Sequence, residues 1–281
     1  MLAIVLSRHD FREYDQVISL YTQTHGKKEA LARGVKKITS KNSGSLEPFS
    51  LVEVEIIPGK EIDHIGSVKI VDLFKYIRDD FTKLFAAQWA VSLTEQLFSV
   101  AEPDSVNFNL LISWFEELNR ARNINSVILD ALVLRLLVRL GFAPELSFCV
   151  RCDRSLLPFP KGERRGGLLS SPPARGGVTG GWEPLPRASD FDIAAGGLIC
   201  KECYQKQVVA LNFFPLNGVV LQSLRTIMHV DWKTIFFLKL DKKETVELHQ
   251  LIYRFAMFHS GKELKDWAVD KILLDKQNQK I

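Results

Sequence analysis

Apolar positions recur with a period of two in the N-terminal quarter of the chain and with a period near 3.6 through much of the rest. Leu51–Ile57 alternates most cleanly: Val52, Val54 and Ile56 fall on one side, Glu53 and Glu55 on the other. That is the pattern of a strand with one buried face. Ala3–Arg8 is short and apolar. Gln16–Thr22 is β-branched and aromatic and closes on His25 and Gly26. Lys28–Val35 carries Gly34, where the backbone can bend, and Ile65–Val71 follows the Pro58-Gly59 turn. Five strands with no long helix between them predict a small closed or partly open barrel, OB-like in strand number.

After Leu73 the period lengthens. Phe74, Ile77, Phe81, Leu84 and Phe85, then Trp89, Leu93 and Leu97, predict one helix up to the break at Pro103-Asp104. Leu110, Leu111, Trp114, Phe115 and Leu118 mark a second. Val127 to Leu140 marks a third, ended by Gly141 and Pro144. Leu216–Met228 and Thr245–Phe258 read as helices, with Leu264–Leu274 extending the bundle. The fold class is therefore α+β: a barrel over residues 1–72, then a helical domain over 73–281.

The 281 residues, 46% hydrophobic and 25% charged, match a globular chain with ample core. The longest helix-like apolar stretch is broken by Asp130 and Arg135, too early for a membrane span. Met1–Leu6 lacks the basic flank of a signal peptide, so a cytoplasmic protein is expected. The net charge of +4 says little, but its distribution says more. Lys27, Lys28, Arg33, Lys36, Lys37 and Lys41 face only Glu29 within fifteen residues, a local +5. This is either a phosphate-contacting surface, sequence-independent and salt-sensitive, or a solvated loop. Phe11, Tyr14 or Tyr21 beside it would stack bases unless they are barrel core.

All four cysteines fall in two C-x-x-C pairs, Cys149/Cys152 and Cys200/Cys203. Two such knuckles match one structural, tetrahedral Zn2+. Cationic Arg151, Arg154 and Lys201 favour thiolates. Four sulfurs close the shell, and the chain has neither H-x-E nor H-E-x-x-H, which argues against a zinc hydrolase or deaminase. The module spans 145–205. Its middle, 161–189, holds seven of the 17 glycines, and its loop composition predicts a disordered insertion. The six histidines pair with no recognisable nucleophile, and no P-loop is present. No enzyme activity is expected.

Particular motifs resemble the RecO family of bacterial recombination mediators. They are Asp10–Asp15 followed by Val17–Thr22 and Gly26-Lys27; Ala32–Lys37 with Ser40-Lys41 and Leu46–Phe49; Leu136–Pro144 leading into Cys149; Gly196–Cys200; and Gly261–Lys265. Asp153 departs from the pattern, standing where a knuckle glycine is usual, and the Gly/Pro-rich insertion is foreign to it. The resemblance implies binding of single- and double-stranded DNA, strand annealing, and loading of RecA on SSB-coated DNA with RecR and, in some members, RecF. It also implies a nucleoid-associated protein whose helical domain receives the acidic C-terminal tail of single-strand DNA-binding protein. Arg135 and Arg139, one turn apart, would meet the tail's carboxylate, and Leu132 and Leu136 its terminal ring. Barrel and basic loop alone leave a zinc-containing RNA-binding protein open as the alternative.

Overall fold

The computed structural model describes residues 1–38, 40, 42–98, 105–125, 127–156, 188–206, 212–265 and 267. Five strands, β1 (Leu2–Asp10), β2 (Gln16–Thr22), β3 (Gly26–Ala32), β4 (Leu51–Ile57) and β5 (His64–Asp72), close a barrel in the order β1-β2-β3-β5-β4. β1, β2 and β3 form an antiparallel meander; β4 pairs antiparallel with β1 and β5, while β3 meets β5 in parallel at Leu31 and His64. Alternation puts Val5, Ile18, Leu20, Val52 and Val54 into the barrel core. β3 stops at Ala32, short of the expected Val35. Gly34 turns the chain at φ 64, in the region that favours glycine, and Val35 enters the core from the loop.

Among the described residues the chain continues through α1 (Lys75–Arg78), α2 (Phe81–Leu97), α3 (Ser105–Arg120), α4 (Val127–Arg139), β6 (Ala188–Asp192), β7 (Gly197–Cys200), α5 (Lys201–Gln205), β8 (Phe213–Pro215), α6 (Gly218–His229), α7 (Trp232–Phe236) and α8 (Lys242–Ser260). The single helix expected from Phe74 to Leu97 is two. The Asp80 carboxylate accepts from the N–H groups of Thr82 and Lys83 at 2.8 and 3.0 Å and starts α2 afresh. α7 and the strands β6 to β8 were not expected. Leu264, Lys265 and Trp267 are not helical, and the rest of the expected helix, 266 and 268–274, lies outside the described residues.

The chain divides into two compact units, Met1–Phe142 with Thr226–Ile281, and Ala143–Arg225. Barrel and helices share the first. Tyr21 of β2 packs on Phe98 and Phe108, Phe49 stacks on Phe115, and the Arg78 guanidinium lies 4.1 Å over the Phe49 ring. The end of the barrel at residue 72 is thus not a packing boundary. α4 is buried along nearly its whole length. Its Asp130 carboxylate is satisfied inside: Trp267 Nε1 donates to it at 2.7 Å, and His249 Nδ1 lies at 2.8 Å. α8 starts with a capping box between Asp241 and Glu244 and ends at Gly261, φ 61.

In the second unit β6 to β8 form a sheet in the order β7-β6-β8. Of the expected insertion, 161–187 lies outside the described residues, and 188–189 already belong to β6. Among the described residues no helix is long and apolar enough to cross a membrane.

Candidate metal centre and nucleic-acid surface

The two knuckles lie 48 residues apart in sequence, and the fold brings all four sulfurs within 4.8 Å of one another. Cys149 precedes a tight turn. Its N–H donates to the Arg154 carbonyl at 2.8 Å, and the Asp153 N–H returns to the Cys149 carbonyl at 2.9 Å. Asp153 sits at φ 56, doing the left-handed work a glycine would do with less strain. The second knuckle crosses from β7 into α5, whose N-cap is Cys200 itself. The Val150 N–H donates to the Leu198 carbonyl and the Cys200 N–H to the Cys149 sulfur, joining the knuckles. Cys152 and Cys200 sulfurs are 3.8 Å apart. Four sulfurs each about 2.3 Å from one tetrahedral ion are separated by roughly that distance, so the donor set fits a single metal ion.

The thiols differ. Burial pushes Cys149 up, but the N–H groups of Cys200, Arg151 and Cys152 outweigh it and bring the thiol down to about 7. Cys203, beside Cys152 and Cys200, is pushed up to about 12. Four thiolates this close need a cation among them. The flanking arginines hold the frame more than they tune the thiols. Arg151 donates to the buried Asp192 carboxylate at 2.6 Å, and Arg154 to Glu202 at 2.7 Å, tying one knuckle to the other.

On the barrel, the β1–β2 loop and the turn after β3 are bolted together. The Asp15 carboxylate accepts from Gly34 N–H at 2.7 Å, and the Tyr14 carbonyl from Lys36 N–H at 3.1 Å. Between them lies a cleft of about 400 Å³ lined by Arg12, Glu13, Tyr14, Asp15, Arg33, Gly34 and Lys37. Lys37 Nζ stands 5.6 Å from the Tyr14 ring centre, and the Arg12 guanidinium 5.2 Å from that of Phe11. Phe11 and Tyr14 are 50% and 46% exposed; Tyr21 is core.

Of the six expected cations, Arg33 and Lys37 meet at this cleft and Lys41 lies outside the described residues. Lys27 instead donates to the Glu95 carbonyl near the end of α2. Lys28 pairs with Asp63 at 3.4 Å and Lys36 with Asp10 at 2.8 Å. Arg12, outside the charge run, was missed; only the loop closure through Asp15 and Gly34 reveals it. His9 does approach a hydroxyl, Ser7 Oγ at 3.0 Å, but that hydroxyl donates to Glu95 at 2.7 Å rather than to the ring. No nucleophile–base pair results.

The expected tail pocket on α4 is corrected by packing. Leu132 and Leu136 are 0% and 1% exposed, in the core, and cannot wall an open pocket. Arg135 donates to the carbonyls of Ile227 and Val230 at the end of α6, and its guanidinium lies 4.1 Å over Trp232. Burial lowers its pKa to about 10. Arg139 alone of the four is exposed. The same compact unit does carry a groove of about 740 Å³, whose lining includes Arg120, Arg122, Ile124, Lys233, Phe237 and Lys239. Asn125 Nδ2 fixes one wall by donating to the carbonyls of Ile235, Phe236 and Leu238. Phe237, 74% exposed, stands at its edge. These residues come from stretches over a hundred positions apart, so no local pattern marks them.

The model of recombination protein O, N-terminal domain, matches residues 1–74, and that of its C-terminal domain matches 78–268. The chain is similar to the DNA repair protein RecO of Pelotomaculum thermopropionicum, 24% identical over 95% of this chain and 91% of that protein. It is also similar to those of Symbiobacterium thermophilum, 22% over 93% and 92%, and Desulforamulus reducens, 27% over 94% and 90%.

Proposed function

Because the chain belongs to the RecO family of DNA repair proteins, we propose that it is a DNA-binding recombination mediator. In this reading it anneals complementary single strands and helps load RecA on SSB-coated DNA, working with RecR and, where present, RecF in the nucleoid. The observation that carries the reading is the cleft on the barrel. Three cations, Arg12, Arg33 and Lys37, line it with Glu13, Asp15 and the exposed ring of Tyr14, and the exposed Phe11 ring lies against Arg12. Cations neutralise phosphates without regard to sequence, and rings stack unpaired bases. Holding two strands on one basic surface lowers the phosphate repulsion that opposes annealing. No covalent step is needed, so the protein acts without catalytic residues.

The metal in this reading is one structural Zn2+ held by Cys149, Cys152, Cys200 and Cys203. The four-sulfur donor set and the 3.8 Å sulfur spacing support it. The acidic tail of single-strand DNA-binding protein is assigned to the groove at Arg122, Lys233 and Lys239, beside Arg120, which already pairs with Glu116 and Glu117; Phe237 and Ile124 offer apolar wall, and Arg139 is no longer its centre. The test is strand annealing with complementary oligonucleotides, bare and coated with single-strand DNA-binding protein. Accelerated annealing of both supports the reading. Equal or stronger binding to matched RNA, with no annealing, would replace it with an RNA-binding barrel.

A further inference from the structure

Two of the cations expected to meet phosphates already hold carboxylates of this chain. Lys36 Nζ is 2.8 Å from Asp10 Oδ2 at the end of β1, and Lys28 Nζ is 3.4 Å from Asp63 Oδ2 just before β5. Both acids are held in place from a second side. Gln16 Nε2 donates to the other Asp10 oxygen at 2.9 Å, and the Gly59 N–H to the other Asp63 oxygen at 3.3 Å. Lys36 and Gln16 together hold the Asp10 carboxyl below the usual carboxylate range. The pairs lie on the barrel that carries the Arg33–Lys37 cleft, and Lys36 adjoins Lys37 in the chain.

From this arrangement we infer that Asp10 and Asp63 are intramolecular stand-ins for phosphate that set the affinity of the barrel for single strands. A carboxylate presents to an ammonium the same oxygen acceptors as a phosphate oxygen. Nucleic-acid binding is driven by release of the cations condensed on the phosphates, and a lysine already neutralised by a carboxylate displaces fewer of them. It contacts an incoming phosphate by exchange, losing one anion as it gains another. The barrel therefore has a weaker grip and a shallower salt dependence than its count of lysines implies. A protein that pairs strands and then yields the duplex has use for such a grip. The inference rests on the barrel being the DNA surface proposed above.

The experiment is fluorescence anisotropy of a labelled oligothymidylate titrated with the full chain across a range of salt. Asp10→Asn and Asp63→Asn each keep an oxygen acceptor for Gln16 or Gly59 and remove the negative charge. Each variant is expected to steepen the log–log salt slope by about 0.7 and to tighten binding about fivefold at 0.1 M salt. Glu53→Gln is the control for net charge, since Glu53 pairs with Lys69 at 3.9 Å away from the basic segment. It is expected to leave the slope unchanged. Folding of each variant is checked by circular dichroism, and the two variants test separate pairs. If both fold and neither moves slope or affinity beyond the control, the inference is overturned. If wild type fails to bind the oligonucleotide at all, it is the proposed function that fails.

Discussion

Around the cysteines, charge is matched at short range. Arg151 meets buried Asp192 and Arg154 meets Glu202, and the four sulfurs converge on one point. On the barrel, Lys28 and Lys36 are also matched, but Arg12, Arg33 and Lys37 converge on an open cleft beside two exposed rings. A metal ion held by all four sulfurs would have no position left for a substrate, so the first region would contribute stability and shape. In the second, Arg12, Arg33 and Lys37 form no ion pair among the described residues, although Glu13 and Asp15 share the cleft, and two rings are turned to solvent, which suits an anionic, aromatic polymer.

The largest effect should come from breaking the first region alone. Cys149→Ser is expected to abolish stoichiometric metal binding and to cost the unit Ala143–Arg225 on the order of 5 kcal/mol, because binding at such sites is coupled to folding. Metal analysis and thermal unfolding check this, and oligonucleotide binding by the barrel should persist. Equal loss of DNA binding would mean that the two regions are not separable. Next, Arg135→Ala should destabilise the first unit by about 3 kcal/mol. It strands the carbonyls of Ile227 and Val230 and uncovers Trp232. Denaturant melts report it. A variant of wild-type stability would reopen a ligand role for this arginine.

Two smaller effects sharpen the second region. Arg33→Ala combined with Lys37→Ala is expected to flatten the salt slope for single strands by about 1.4, close to 25-fold in affinity at 0.1 M salt. A slope equal to wild type would place the phosphates elsewhere. Tyr14→Ala should weaken single-strand binding about tenfold, while Tyr14→Phe stays near wild type, since stacking needs the ring and not the hydroxyl. Equal losses in both would point to the hydroxyl instead.

Strand alternation, helical period and the paired C-x-x-C spacing are local properties, set by residues within a few positions of one another. They were therefore legible in the sequence: the barrel from Val52, Val54 and Ile56, α4 from its apolar run, and the four-cysteine cluster from two gaps of two. The Asp80 cap that splits the expected helix is equally local, but the reading of one helix from Phe74 to Leu97 passed over it.

Partner choice over long separations was not legible. Helical spacing places Arg135 and Arg139 on one side of α4, yet it carries no record of the α6 terminus that absorbs Arg135. Charge counting along Lys27–Lys41 cannot see Asp10 or Asp63, which reach Lys36 and Lys28 from the end of β1 and from just before β5. Nor can it see Arg12, which joins Arg33 only because Asp15 grips the Gly34 N–H. Composition and period determined which elements form and which residues carry charge. Only tertiary packing decided which of those charges are already spent, because a Coulombic partner is chosen by distance in space.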